Sequence, residues 1–125
     1  EINTFPCKVV KDGSGLKLQA ATFTLSVPNK DAAALAAYEG KTVILGIRPS
    51  DFVLAQSGEP NAIRGAIDGV EPLGDAFLIH IKLDDQMMVF KYTGETVPAQ
   101  EQIAIVPNMA KLHLFEQDTE KRIND

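Results

Sequence analysis

Tryptophan is absent from this sequence, cysteine occurs once, and aromatic side chains make up only 6% of its residues. The lone Cys7 cannot form an internal disulfide, and cysteine and histidine never stand at metal-ligand spacing, which fits a reducing cytosol. Few aromatics leave little from which to build base-stacking platforms. Lysine and arginine number 12 against 17 acids, for a net charge of −5, and the basic residues are scattered along the chain. A phosphate backbone calls for a concentrated basic surface, so no nucleic-acid partner is expected. No apolar run reaches the roughly 18 residues of a membrane-spanning helix, and the opening EINTFPCK has no basic segment leading into an apolar one, so no signal peptide is expected either. The glycines match neither a phosphate loop nor a dinucleotide fingerprint.

What is present is a chain of 125 residues, one domain by length, organised around Lys41 to Phe52. Val43, Ile44, Leu45 and Ile47 make a continuous apolar strand, expected to be covered on both faces. Pro49 ends it, because proline lacks an N–H and holds Arg48 extended, so the guanidinium is delivered at a defined exit point. The expectation is that Arg48 pairs with a nearby carboxylate or carbonyl of its own domain, a carboxylate foremost; the alternative is contact with a partner.

Elsewhere the pattern is that of short strands and turns. Thr4 to Val10 reads as a strand with Pro6 at its beginning, followed by the turn Lys11-Asp12-Gly13-Ser14-Gly15. Phe23, Leu25 and Val27 alternate with polar neighbours, the period of a strand with one wet face. Asp31 to Tyr38 is the one convincing helix, with Asn29 or Asp31 as N-cap, Gly40 past its end, and Leu35 and Tyr38 docking it. After the polar loop Ala55 to Asn61 come a glycine-containing strand, Ala62 to Val70, the turn Glu71 to Asp75, and two strands over Phe77 to Leu83 and Met87 to Tyr92. Gly65 and Gly69 would permit a bend or bulge. Gln102 to Val106 is a last apolar strand, and the tail from Leu112 is expected to pack back on the body. About nine strands and one short helix predict a mostly β domain, closed as a small OB-like barrel because closure removes sticky edges. No internal repeat is exact enough to claim.

The chemistry-bearing residues are sparse. His80 and His113 read as surface histidines without a nucleophile beside them. Glu71, Asp75, Asp84 and Asp85 are turn acids, which turns favour for backbone hydrogen bonding regardless of function. The residues by themselves indicate a β-barrel binding or interaction module, with no catalytic and no metal-binding residues.

Four segments carry a resemblance. Glu1 to Val10 (EINTFPCKVV), Lys41 to Phe52 (KTVILGIRPSDF), Val70 to Asp75 (VEPLGD) and His113 to Ile123 (HLFEQDTEKRI) resemble, in this order, motifs of the C-terminal regulatory (TOBE/OB-like) domain of ATP-binding subunits in bacterial ABC importers of the carbohydrate-uptake type. Ser50 stands where that family usually has Glu, Glu116 where it has Asp, and Glu120 where it has Gly.

The resemblance implies that residues 1–125 are a regulatory domain whose nucleotide-binding domain lies outside this chain, so that ATP and magnesium are held elsewhere and no cofactor is expected here. It further implies a homodimer with a second copy, contact with the transporter's membrane subunits through the other domain, possible regulatory proteins, and a place on the cytoplasmic face of the bacterial membrane. The candidate structural or interface residues are Arg48, Pro49, Glu71, Gly74, Asp75, His113, Leu114 and Phe115. Two other readings remain: a stand-alone barrel binding a small ligand such as an oxyanion, and an OB-type nucleic-acid binder, which the acidic charge disfavours.

Overall fold

In the computed structural model, which describes residues 1–98 and 100–125, the alternation along the first strand becomes a two-faced ladder. Strand β1 (Asn3–Asp12) buries Phe5, Cys7 and Val9 and exposes Thr4, Pro6 and Lys8. It starts at Asn3, one residue before the expected Thr4, and runs through Pro6 to Asp12. Proline is tolerated inside the strand because β1 pairs with β4 (Thr42–Ile47) over Asn3 to Lys8 and with β2 (Gly15–Gln19) only from Lys8 onward, so one edge is unpaired at Pro6. Among the described residues the strands number ten rather than about nine: β3 (Thr24–Ser26), β5 (Phe52–Leu54), β6 (Ile63–Pro72), β7 (Phe77–Lys82), β8 (Met87–Tyr92), β9 (Gln102–Pro107) and β10 (His113–Glu116) complete the set.

The helix α1 (Asn29–Leu35) continues as a 3-10 turn over Ala36–Tyr38. Neither expected cap is used: Pro28 holds the N-cap position in extended geometry and no side chain caps the helix. Asp31 is instead buried, accepting from Lys30 Nζ at 3.1 Å and from Asn124 Nδ2 at 3.3 Å. Seven residues make too short a helix to persist alone. Docking holds it, as expected, through the fully buried Leu35 and the Tyr38 hydroxyl, which donates to the Glu116 carboxylate.

The strands form two five-stranded antiparallel sheets, ordered β10-β4-β1-β2-β3 and β5-β9-β6-β7-β8. Exchanging β1 to β4 for β6 to β9, and β10 for β5, converts one order into the other. The register follows: Leu45 lies opposite Phe5 and Leu114, while Ile105 lies opposite Ile63 and Leu54. Strands β4 and β9 have the same burial pattern, and each runs into a 3-10 turn, Pro49–Asp51 or Met109–Lys111, before delivering a short strand to the other half's sheet. The strand order has an internal two-fold that the sequence does not display as a repeat, because most equivalent positions share only apolar character, as Val43 does with Ile103. The halves differ chiefly in the β3–β4 connection, which contains α1. A bulge between Ile67 and Gly69 bends β6, as its glycines suggested.

One core joins both sheets, with Phe5, Leu45, Ile47, Ile79, Ile81, Phe90 and Ile105 inside it. Edge-to-face rings lock it, Phe5 on Phe23 at 5.1 Å and Phe52 on Phe90 at 6.2 Å. The mostly β, OB-like expectation is borne out, and the apolar strand β4 lies between two others with Val43, Leu45 and Ile47 fully buried.

Candidate regulatory interface

The exit from β4 sets the geometry. Arg48 is extended, with φ −72° and ψ 148°, and Pro49 begins the 3-10 turn, closed by the Asp51 N–H donating to the Arg48 carbonyl at 2.9 Å. The guanidinium itself is exposed and, among the described residues, makes no ion pair. This corrects the expectation of an intramolecular carboxylate partner. Asp51 lies close in sequence, but the turn spends its backbone on Arg48 and Asn108 and does not bring its carboxylate to the guanidinium.

Arg48, Pro49 and Ser50 form one wall of a crevice of about 700 Å³. Opposite them stand Glu71, Leu73, Leu78 and His80 of the β6–β7 hairpin, with Val89 and Lys91 of β8 and the first three residues of the chain completing it. Glu71 Oε1 lies 3.7 Å from His80 Nε2, a half-exposed contact that solvent screens. Leu73 and Val70, 44% and 40% exposed, extend apolar surface along the hairpin.

His113 lies near Arg48, whose charge acts on its ring. Its Nδ1 accepts a hydrogen bond from Arg122 Nη1 at 2.8 Å, since a guanidinium can only donate, and its ring stacks on Phe115 at 6.4 Å. Burial holds the imidazole below its ordinary pKa, helped by the charges of Arg122 and Arg48, with Asp51 opposing. Arg122 also lies over the Phe115 ring, at 5.8 Å. Phe115 and Ile2 meet across β4 at Gly46, where an added Cβ would stand 2.6 Å from Ile2 Cδ1 and 3.4 Å from Phe115 Cε2.

The tertiary structure therefore brings together Arg48, Pro49 and Glu71 in one crevice, and joins His113 and Phe115 to it through Arg48 and Ile2. Gly74 and Asp75 lie at the hairpin tip outside the crevice; Gly74 has φ +94°, a turn requirement that explains it locally. Leu114 is fully buried and belongs to the core, which leaves it a structural role only. Sequence reasoning passed over Val89 and Lys91, although they occupy the outward phase of β8 opposite the buried Met88 and Phe90. The tail packs back as expected, through Ile123 N–H to the Leu114 carbonyl and the buried Asn124, with Glu120 at φ +61° where the resembled motif has glycine.

For catalysis the arrangement offers little. Among the described residues no three His, Cys, Asp or Glu side chains gather as a metal site would require. Burial pushes the Cys7 thiol up to about 12, far from a reactive thiolate.

Comparison with known proteins accounts for both halves of the chain. Residues 1–52 match the MalK OB fold domain and residues 45–115 match the TOBE domain. The chain is 34% identical over 87 residues to the sulfoquinovosyl glycerol transport ATP-binding protein SmoE of Agrobacterium fabrum, an alignment covering 69% of this chain and 24% of that protein. It is 33% identical over 92 residues to the trehalose/maltose import ATP-binding protein MalK of Thermococcus litoralis, covering 69% of this chain and 25% of the relative. The oligosaccharides import ATP-binding protein MsmX of Bacillus subtilis is 26% identical over 113 residues, covering 86% and 31%. The chain thus spans between a quarter and a third of the length of these relatives. Among solved structures, the cytoplasmic molybdate-binding protein ModG superposes with a TM-score of 0.63 at 17% identity, over 85% of this chain and 90% of that one, a likeness of fold. With the TOBE match covering more than half of its residues and the MalK OB fold match covering its first strands, the chain belongs to the TOBE domain family.

Proposed function

We propose that this chain is the non-catalytic regulatory and dimerisation domain of the ATP-binding subunit of a bacterial ABC importer for sugars or related polyols and sugar phosphates. The observation that carries the reading is the joint match to the MalK OB fold and TOBE domains, together with relatives named as import ATP-binding proteins of which this chain covers a quarter to a third. ATP and magnesium are held by the subunit's other domain, which also meets the membrane subunits and keeps the assembly on the cytoplasmic face. The exposed surface around Arg48, Glu71, His113 and Phe115 is the patch offered to a second copy or to regulatory proteins. A rigid barrel suits this task, because a two-fold contact between such domains keeps two moving ATPase halves at high effective concentration.

Two measurements test it. Calorimetric titration of the isolated chain with Mg-ATP should show no binding, and sedimentation velocity should show weak, concentration-dependent dimerisation that Arg48→Glu reduces. A strictly monomeric species that binds nucleotide would overturn the reading.

The fold likeness to ModG favours a second reading, an oxyanion-binding barrel. The anion would be held by Arg48 and Lys91, which share their crevice with Glu1 and Glu71. Saturable molybdate binding lost in Arg48→Ala supports this reading; the absence of binding removes it.

A further inference from the structure

Two five-stranded sheets have four outer edges, and other groups of the chain hydrogen-bond to three of them, at single residues on β8 and β3 and along several residues of β10. Asn3 caps the edge of β8 at Val89, and Gln86 Nε2 donates across the same seam to the Thr4 carbonyl at 2.9 Å. Asn61 Oδ1 accepts the Ser26 N–H of β3 at 2.9 Å. The C-terminal tail lies along β10: Ile123 N–H donates to the Leu114 carbonyl at 2.7 Å, Asn124 Oδ1 accepts the Leu114 N–H at 3.0 Å, and Glu116 N–H donates to the Lys121 carbonyl at 2.8 Å.

Among the described residues, no group hydrogen-bonds to the outer side of the fourth edge, β5. Leu54 and Leu114 occupy equivalent register positions, opposite Ile105 and Leu45, yet Leu114 is 0% exposed and Leu54 37%, with its neighbour Val53 at 63%. Because the Ala55 N–H donates to the Ala104 carbonyl at 2.9 Å, the alternation of the ladder turns the N–H and C=O of Leu54 away from β9. These are the two groups that, in Leu114, the tail satisfies. Among the described residues the loop after β5 does not cover them: Gln56 N–H is taken by Glu59 Oε1 at 2.8 Å and the chain proceeds into β6. Beside the edge is a crevice of about 470 Å³, with Leu54, Pro98 and Ile103 in its walls and Arg64 among its polar lining.

We propose that the free edge of β5 receives an extended segment of a partner protein, running antiparallel, with an acidic residue, an aliphatic residue and an asparagine in sequence. The tail on β10 shows the chemistry. An aliphatic residue donates its N–H to the Leu54 carbonyl and sets its side chain toward Leu54 and Ile103. The following carboxamide accepts the Leu54 N–H, as Asn124 does for Leu114. The tail has Arg122 before Ile123, over Phe115; at β5 the equivalent of Phe115 is Ala55 and the nearby cation is Arg64, so the complementary residue is an acid. Main-chain pairing with an exposed edge is an established mode of peptide capture. This surface is separate from the crevice at Arg48, and the inference stands independently of the importer reading.

The test is NMR titration of the whole isotope-labelled chain with the synthetic peptide Thr-Glu-Lys-Glu-Ile-Asn-Asp, the tail sequence carrying an acid in place of its arginine. Saturable shifts at the amides of Leu54, Ala55 and Ala104 are expected, with at least tenfold weaker binding when the peptide's Ile and Asn are both glycine. Leu54→Pro removes the outward N–H at an edge position that the ladder does not use, and should abolish binding with the melting temperature retained. Should that variant unfold, Val53→Lys blocks the same edge on an exposed side chain and should weaken binding at least tenfold. Shifts at Leu114 and Glu116 instead, no saturable shifts, unchanged binding in a folded variant, or concentration-dependent shifts at Leu54 without peptide would each overturn the proposal.

Discussion

The carboxamide of Asn3 exchanges two hydrogen bonds with the backbone of Val89, donating to its carbonyl at 2.9 Å and accepting its N–H at 2.8 Å, while Nδ2 also donates to the Ile47 carbonyl at 3.0 Å. One buried side chain thereby joins β1 to β8 and closes the seam between the two sheets. Asn61 makes the two-fold-related contact to Ser26 at an exposed site. Asn3→Ala should leave the N–H and C=O of Val89 without these side-chain partners and cost roughly 1–3 kcal/mol in urea melts. Asn61→Ala, where water can substitute, should cost clearly less; equal losses would contradict this account of the seam.

Leu45 lies at the centre of the core with no exposed surface. Leu45→Ala should destabilise by about 2–5 kcal/mol, the range for leucine truncation in a close-packed interior. A loss below about 1 kcal/mol would show that the strand is not tightly enclosed.

Arg48 is exposed and makes no ion pair among the described residues, so its role is not to hold the domain together. Arg48→Ala should change stability by no more than about 0.5 kcal/mol. Denaturant midpoints measured alongside sedimentation would separate this small folding effect from any loss of self-association.

The Arg122 contact requires His113 neutral at Nδ1, and the imidazole's pKa is held below its ordinary value, chiefly by burial. A group depressed on folding contributes stability above its unfolded pKa, near 6.5, and loses it as pH falls through the folded value. Stability from this contact should therefore be present at pH 7 and decline under acid conditions. Histidine NMR titration should place His113 below His113 in a denatured reference; a raised value would reverse the sign.

Glu120 has φ +61°, a left-handed backbone that costs a side-chain-bearing residue about 1 kcal/mol. Glu120→Gly should raise the melting temperature modestly and slow hydrogen exchange at Lys121 and Ile123. Deleting residues 117–125 should lower the melting temperature, because it removes the Asn124 bonds to Leu112 and Leu114 and uncovers β10. Unchanged melting after the deletion would mean that the tail contributes nothing to the fold.

The sequence by itself determined most of the elements, though not the short strand Phe52–Leu54, and the family. Alternation in Thr4 to Val10 and Phe77 to Leu83, the apolar runs ending at Pro49 and Pro107, and the turn at Gly74 are local signals, because side-chain period and backbone preference act within a few residues. The helix cap was misjudged for a related reason: Asn29 and Asp31 have the right chemistry, but burial against Asn124 claims Asp31 for tertiary packing. Half of the candidate site was also legible, since Arg48 and Pro49 mark a strand exit. Only the tertiary structure decided that Arg48 makes no ion pair among the described residues, that Leu114 is core, and that β5 and β10 change places between the sheets. It also decided that Leu54 is left uncovered where Leu114 is not. The physical reason is that each of these depends on which strand edge meets which partner. Strands as short as Phe52–Leu54 and His113–Glu116 carry nearly the same local pattern, so sequence distinguishes their neighbours poorly, while hydrogen bonds between residues as distant as Asn3 and Val89 fix them.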